Sequence, residues 1–255
     1  SFYLAYHGMN DRDLMVELAQ FYLTACPSLE WTAPHRLPGA DRAHRERLRI
    51  GVLSRYFGDH AVAWMVQGLL ARLPRDAMEV IALTLSQQGD VVSPAMRAAV
   101  DEVVTLPYSL EGARERIGEF EFDVLLYADV GMEVFSYFLA FARLAPVQCV
   151  TWGHPDTTGI PAVDYYLSND IAEPDYAEES YSEPLVRLAG VQSWYARSEV
   201  PDPLPPRAKI GLPEDATLYF CPQSLFKIHP EMDPALAEIL RRDPAGRIVV
   251  FDGPD

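Results

Sequence analysis

Short apolar runs alternate with amphipathic stretches along most of the chain. The apolar runs are rich in β-branched and aromatic residues and predict buried strands, whereas the stretches between them carry apolar residues at helical spacing. Strands separated by helices indicate βαβ units and a twisted parallel sheet. The predicted strands cover 48–54, 78–85, 102–106, 123–128, 147–152, 163–168 and, at an edge, 184–188. The predicted helices cover 61–73, 94–101, 110–120 and 134–143.

An amphipathic helix and an irregular connection precede the first predicted strand. A helical period extends over 11–26, and Asn10 or Asp11 can cap its start. Its predicted buried face consists of Leu14, Leu18, Phe21, Tyr22 and Ala25. Residues 27–47 are rich in proline and charge and have no period. We therefore expect residues 1–47 to form an N-terminal helix and a linker.

A second unit follows the predicted sheet domain, which covers residues 48–195. Residues 196–213 carry five prolines and predict an extended interdomain linker. One βαβ unit cannot bury both faces of a sheet, so residues 214–255 are expected to begin a C-terminal domain and not to complete it. Its predicted elements are a strand at 216–221, a helix at 233–242 and a strand at 247–251.

Composition and charge narrow the class of protein. No apolar run is long enough to cross a bilayer and no signal peptide is visible, so we expect a cytoplasmic protein without a membrane partner. Cys26, Cys149 and Cys221 are widely spaced without a metal-ligand pattern, which indicates reduced thiols. The 37 acidic residues outnumber the 21 lysines and arginines, and the resulting net charge of −16 argues against nucleic-acid binding.

Polar chemistry is concentrated between the fifth and sixth predicted strands. The connection reads GHPDTTG, from Gly153 to Gly159. Loops at the carboxyl ends of parallel strands line the ligand crevice of an open α/β sheet. Glycine allows the backbone to approach a ligand closely, and Thr157 and Thr158 can offer hydroxyls and amides to a sugar or phosphate. A plain proline and glycine turn is the alternative.

A longer run around this loop carries a family resemblance. The run FLAFARLAPVQCVTWGHPDTTGIPAVDYYLSND, followed by YSEPLVRL, resembles the core of the SPINDLY/O-GlcNAc transferase family, and its bacterial SPINDLY-type branch above all. That branch stands between Ser/Thr O-GlcNAc transferases and bacterial N-glucosyltransferases. The resemblance implies an α/β fold: the Rossmann-like parallel sheet domain of a GT-B glycosyltransferase, plus the beginning of the second Rossmann-like domain. It also implies that tetratricopeptide repeats can lie outside this chain.

The resemblance implies three catalytic residues. His60 lies in FGDH, which is similar to the family motif FG-x-H, whose histidine is a proposed base or acceptor-positioning group. Asp59 is expected to cap the following helix. Tyr56 stands where several family members have an aspartate, so no carboxylate base is assigned there. His7 matches an N-terminal HG motif on the acceptor side, and Lys227, in CPQSLFKIHP, matches a lysine that neutralises the donor diphosphate.

The resemblance also implies a donor site without a metal or a cofactor. The residues expected to shape the sugar pocket are Gly153, His154, Pro155, Thr157 and Thr158, and Gln223 is expected to contact the nucleotide. A cation such as Lys227 suits this reaction, because departing UDP develops negative charge. We further expect His60 and Gly153 to meet at the mouth of one pocket.

The expected function is inverting transfer of a sugar, N-acetylglucosamine above all, from a UDP-sugar to Ser or Thr of an acceptor protein. Gly159 favours this acceptor type over asparagine. The alternatives are a UDP-glucose-dependent protein N-glucosyltransferase and a non-catalytic binding or scaffold protein. Residues 1–255 alone are expected to bind UDP weakly and to transfer no sugar.

The sequence supports two further classes of enzyme less than these functions. A metal-dependent hydrolase would use His154, Asp156 and Asp129 as ligands, but the spacing lacks a second histidine pair. A nicotinamide oxidoreductase would need G-x-G-x-x-G in the first strand-to-helix turn, which reads GVLSRYFGDH.

Overall fold

The computed structural model describes residues 2–40, 44–85, 92–195 and 200–251. The chain divides into two compact units. One contains Phe2 and the described residues from Asn10 to Tyr195, and the other contains Tyr3–Met9 and the described residues from Val200 onward. Parts of the predicted connections, 41–43 and 196–199, and the end of the predicted second domain, 252–255, lie outside the described residues.

A parallel seven-stranded sheet forms the centre of the larger unit. The spatial order is β3-β2-β1-β4-β5-β6-β7, so the strand order reverses between β1 and β4. In such a sheet the ligand crevice lies outside the carboxyl ends of the strands at this reversal. The predicted parallel sheet and its edge strand are confirmed. The strands are β1 (Leu48–Ser54), β2 (Met78–Leu85), β3 (Glu102–Leu106), β4 (Val124–Tyr127), β5 (Val147–Thr151), β6 (Tyr165–Asn169) and β7 (Leu185–Leu188).

Five α-helices accompany this sheet in the described part of the unit. They are α1 (Arg12–Ala25), α2 (Ala61–Leu70), α3 (Pro94–Ala98), α4 (Leu110–Phe120) and α5 (Val134–Leu139). Three of them, α2, α3 and α5, end three or four residues earlier than predicted. Pro74 disfavours helix in the preceding residue, and Arg75 donates to the carbonyl oxygens of Leu70 and Leu73 beyond α2. The buried Gln148 side chain bonds Ala142, Leu144 and Ala145 and holds the turn after α5.

The predicted buried face of α1 is only partly right, because Leu18 and Tyr22 are half-buried but Ala25 is exposed. Met15 and Ala19 are buried, whereas Leu14 and Phe21 are 49% and 63% exposed. The backbone of α1 closely approaches the loop after β5, since a Cβ on Gly159 would lie 2.2 Å from the Met15 carbonyl oxygen. This approach turns the Met15 and Ala19 side of the helix inward. Asn10, not Asp11, supplies the capping side chain, because its Oδ1 accepts from the Arg12 amide.

The smaller unit is built on one βαβ element. β8 (Leu218–Cys221) pairs in parallel with β9 (Arg247–Val250), and α6 (Asp233–Arg242) connects them. Among the described residues of this unit, only Gly246 is buried. The predicted strand, helix and strand are confirmed, whereas the division of the chain into linker and domain segments stays a prediction. None of the helices in the described ranges has the length and apolar character needed to span a bilayer.

Candidate active site

The loops after β1, β4 and β5 meet at the carboxyl edge of the sheet, where the strand order reverses. Gly153 follows β5 and lies against the end of β4. A Cβ at this position would lie 1.9 Å from the carbonyl oxygen of Ala128 and 3.2 Å from the Cα of Asp129. Such distances exclude any larger residue unless the backbone moves. The glycine therefore lets the β5 loop cross directly beside β4.

His60 begins α2 and lies after β1. Its Nδ1 accepts a hydrogen bond of 3.1 Å from the Val62 amide, and its ring stacks on Tyr56 with centroids 4.4 Å apart. The prediction that Asp59 caps this helix is wrong, because the chain is already extended at His60 and the imidazole itself reaches the first turn. With Nδ1 accepting, the neutral imidazole carries its proton on Nε2.

Short contacts connect the His60 loop to the Gly153 loop. The Ser54 hydroxyl accepts from the Tyr56 amide at 2.8 Å and donates to Asp129 Oδ2 at 2.6 Å. Asp129 in turn lies against Gly153. His60 and Gly153 are thus on the same edge of the sheet, whereas their meeting at the mouth of one pocket stays a prediction.

Asp129 is a buried carboxyl at the centre of this edge. It is 1% exposed, and its Oδ1 has no hydrogen-bond partner among the described residues. Burial raises the pKa of Asp129 to about 7, against the lowering effect of the Ser54 hydrogen bond, and nearby Glu133 raises it further. Near neutral pH this carboxyl is therefore partly protonated.

His154 is buried between the loops after β4 and β5. A Cβ on Gly131 would lie 2.2 Å from its Cδ2, and Phe2 stacks on the ring with centroids 5.4 Å apart. Neither ring nitrogen has a hydrogen-bond partner within the part of the chain that the structure describes. Burial lowers the pKa of His154 to about 4, so the ring is neutral at neutral pH. Tyr166 fixes the backbone here by donating to the His154 carbonyl oxygen at 2.8 Å.

Asp156 follows the exposed Pro155 and is 9% exposed. Its Oδ1 accepts from the Thr157 amide at 2.8 Å, and its Oδ2 is buried without a hydrogen-bond partner among the described residues. Burial raises the pKa of Asp156 to about 6, and the nearby Asp11 raises it too. Together with His154, this residue gives the loop buried polar atoms that its own contacts do not satisfy.

Thr157 and Thr158 are buried and bind a carboxylate that the sequence reasoning did not single out. Both hydroxyls contact Glu183, which is 4% exposed, and the Thr158 amide donates to the same side chain at 2.9 Å. Ser182 also contacts the Thr157 hydroxyl, at 2.8 Å. Glu183 lies in the run YSEPLVRL, whose only signal in the sequence is the family resemblance.

Lys227, His7 and Gln223 lie in the smaller unit. Lys227 Nζ lies 5.2 Å from the Tyr6 ring centroid and 5.8 Å from that of Phe226. His7 lines a cavity of about 540 Å³ together with Tyr6, Gly8, His229 and Glu231, among others. Gln223 is exposed. Within this unit the structure therefore brings the HG motif close to the segment that carries Lys227.

The described residues contain no group of three His, Cys, Asp or Glu side chains arranged to hold a metal ion. The hydrolase alternative needs such a group at His154, Asp156 and Asp129.

Comparisons with known proteins place most of the larger unit in one family. The model for glycosyl transferase family 41 matches residues 27–195. A relative from Arabidopsis thaliana, named probable UDP-N-acetylglucosamine–peptide N-acetylglucosaminyltransferase SEC, is 24% identical over 249 residues, which are 92% of this chain and 26% of the relative. A SPINDLY protein from Solanum lycopersicum with the same enzyme name is 27% identical over 209 residues, 80% of this chain and 22% of that protein.

A solved structure shows the same fold. It is a mutant O-GlcNAc transferase from Thermobaculum terrenum, with a TM-score of 0.71 and 24% sequence identity over 97% of this chain and 46% of that one. The chain thus spans about a quarter of the length of the curated relatives it matches.

Proposed function

The chain belongs to glycosyltransferase family 41, and from this premise we propose that it forms part of an inverting protein glycosyltransferase. The proposed reaction moves N-acetylglucosamine from a UDP-sugar to a Ser or Thr hydroxyl of an acceptor protein. The family match over residues 27–195 carries the proposal, because this range contains both the His60 loop and the GHPDTTG loop. The names of the SEC and SPINDLY relatives support the choice of sugar and acceptor.

In the proposed reaction, the acceptor oxygen attacks the anomeric carbon and the bond from that carbon to the diphosphate breaks, so UDP leaves with the bonding electrons. The proton of the acceptor hydroxyl passes to an oxygen of the departing diphosphate. The cap bond of His60 favours a positioning role in this step. Its Nδ1 is engaged by the Val62 amide, so the neutral ring offers Nε2–H as a donor. Removing a proton from the acceptor would require His60 to give up this bond first. We therefore assign His60 the orientation of the acceptor hydroxyl.

The leaving diphosphate needs positive charge, which Lys227 can supply without a metal or a cofactor. Aromatic rings of Tyr6 and Phe226 flank its ammonium group and limit its positions. We place His7 on the acceptor side and Gln223 on the nucleotide, as the family resemblance implies. Gly153, His154 and Pro155 belong to the sugar pocket in this proposal.

The proposal is tested by incubating the native protein that contains this chain with UDP-N-acetylglucosamine or UDP-glucose and a mixed peptide library. We expect mass spectrometry to find one N-acetylhexosamine on Ser or Thr. Hexose on Asn would replace this function with N-glucosylation, and no product with either donor would favour a scaffold role. The isolated 255-residue chain is expected to transfer no sugar.

Lys227 offers a sharper test, because the chain has a single other lysine, Lys209. Lys227→Ala should lower the turnover number by about 10²–10³-fold or more, as expected when a group that stabilises developing charge is removed. Lys209→Ala removes the same charge from another exposed site of the same unit and should leave turnover unchanged. Near-normal turnover of Lys227→Ala would remove this lysine from the mechanism.

A further inference from the structure

The hydroxyl hydrogens of Thr157 and Thr158 are both used inside the protein. Thr157 Oγ1 donates to Glu183 Oε2 at 2.6 Å and accepts from the Ser182 amide at 2.9 Å. Thr158 Oγ1 donates to Glu183 Oε1 and accepts from the Ile160 amide at 3.0 Å. A hydroxyl has one hydrogen to donate, so neither threonine has one left for a ligand.

Glu183 receives three hydrogen bonds from two consecutive residues of the loop. The third comes from the Thr158 amide, at 2.9 Å from Oε1. Beside it, Ser182 Oγ accepts from the Gly159 amide at 3.1 Å. Glu183 is buried, and a hydrogen bond is stronger in the low dielectric of the interior than in water. The segment before β7 therefore fixes the second half of the GHPDTTG loop.

The first half of the loop offers different atoms. The His154 carbonyl oxygen is held by Tyr166, but the ring nitrogens of His154 and the Oδ2 of Asp156 are buried without partners among the described residues. These atoms belong to the same seven-residue turn whose threonine hydroxyl hydrogens are both donated to Glu183. The polar side-chain atoms of the loop that lack a partner among the described residues therefore lie on His154 and Asp156, and not on the threonines.

We propose that Glu183 is a positioning residue, which holds both threonine hydroxyls so that the loop presents Gly153, His154 and Asp156, not the threonines, to the donor sugar. The proposal rests on the glycosyltransferase function proposed above. It changes the role expected for Thr157 and Thr158 from contacting the sugar to shaping the loop.

Sugar transfer by variants of the native protein tests this role. Glu183→Gln keeps the size of the side chain but replaces one acceptor oxygen with a donor. It should lower kcat/KM for the UDP-sugar by about 10–100-fold and leave KM for the acceptor peptide unchanged, because the displaced loop serves the donor. Thr157→Val should have a similar effect, and Thr157→Ser, which keeps the hydroxyl, should restore transfer. Glu179→Gln removes the same charge at an exposed site and should have no effect.

A double variant separates a shared contact from two independent losses. If Glu183 acts through Thr157, the double variant that combines Glu183→Gln with Thr157→Val should transfer sugar as fast as the less active of the two single variants. Multiplied losses would overturn the proposal, and so would transfer by Glu183→Gln within twofold of the unaltered protein. Should Glu183→Gln fail to fold, the near-isosteric Thr157→Val and Thr158→Val, judged against Thr157→Ser, decide the same question.

Hydrogen exchange keeps this test separate from the proposed reaction. The Thr158 amide donates to Glu183, so Glu183→Gln should speed exchange in the peptide covering residues 153–160, and Glu179→Gln should not. Unchanged exchange in Glu183→Gln would refute the positioning role of Glu183. An unaltered protein that transfers no sugar would instead refute the proposed function, and the exchange result would still judge the role of Glu183.

Discussion

The loops after β1 and β5 each carry a histidine to the same edge of one sheet, but they hold it in opposite ways. His60 is partly exposed, and its ring is fixed by its own helix through the Val62 amide and by the Tyr56 ring. His154 is 2% exposed, and its ring is fixed by shape, between Gly131 and Phe2, without a hydrogen bond to either nitrogen among the described residues.

The surroundings of the two histidines therefore fix different properties of the imidazole ring. The local contacts of His60 select the tautomer with the proton on Nε2, so the ring is a directed donor. The surroundings of His154 select its charge, because burial disfavours the protonated form. The first arrangement depends on residues 56–62, whereas the second depends on segments that are far apart in the sequence. Mutations should therefore affect the two loops differently.

The largest effect is expected at the first loop. His60→Ala should lower sugar transfer by about 10²-fold, as for loss of a group that orients the acceptor, and should reduce the free energy of unfolding by about 1 kcal/mol through loss of the cap. His60→Asn keeps a capping side chain, so it should restore stability but not transfer. Kinetics and urea unfolding of both variants check this. Full transfer by His60→Asn would show that His60 acts only as a cap.

The second loop should respond most strongly through its backbone. Gly159 and Gly190 both have a positive φ, +70° and +77°, but a Cβ on Gly159 would lie 2.2 Å from the Met15 carbonyl oxygen, whereas a Cβ on Gly190 meets nothing within 4 Å. Gly190→Ala should reduce the unfolding free energy by about 1–2 kcal/mol, because only the cost of a left-handed backbone conformation for alanine applies there. Gly159→Ala should cost roughly 3 kcal/mol or more, because backbone overlap is added. Equal losses in urea unfolding would mean that α1 does not press on the loop.

The sequence predicts the sheet and the first loop because their signals are local. Apolar runs predict every strand of the sheet to within two residues, and FGDH before an apolar helical stretch identifies the start of α2. The errors occur where tertiary packing decides. Leu14 and Phe21 look like core residues, but the approach of α1 to Gly159 buries Met15 and Ala19. His60 replaces Asp59 as the cap because of the backbone conformation, which residue type alone does not reveal.

The second loop was only half predictable for the same reason. The run GHPDTTG predicts a ligand-binding loop. Nothing near it in sequence indicates that Glu183, 25 residues beyond Thr158, accepts hydrogen bonds from the threonine hydroxyls. The burial that makes His154 neutral also comes from remote segments, at Gly131 and Phe2. Contacts of this kind depend on which loops the strand order brings together. The catalytic and binding roles assigned to these residues stay predictions.

The smallest expected effect is on the pH dependence of stability, and it concerns the buried carboxyl between the two loops. The pKa of Asp129 is about 7 in the folded protein against an ordinary value of 3.8, so between these values the folded state binds more protons than the unfolded state. Its contribution to stability therefore falls as pH rises through this window. His154 has the opposite sign, because its pKa falls from 6.5 to about 4, and stability rises with pH in that range.

The two contributions partly cancel in the unaltered protein. Asp129→Asn removes the falling contribution, so between about pH 5 and about pH 7.5 the unfolding free energy of this variant should rise by about 2–3 kcal/mol relative to that of the unaltered protein. Asp59→Asn, at an exposed carboxylate of the first loop, should show no such gain. Urea unfolding at several pH values measures both proteins. If their unfolding free energies changed with pH by the same amount, Asp129 would already be ionised in the folded state at pH 5.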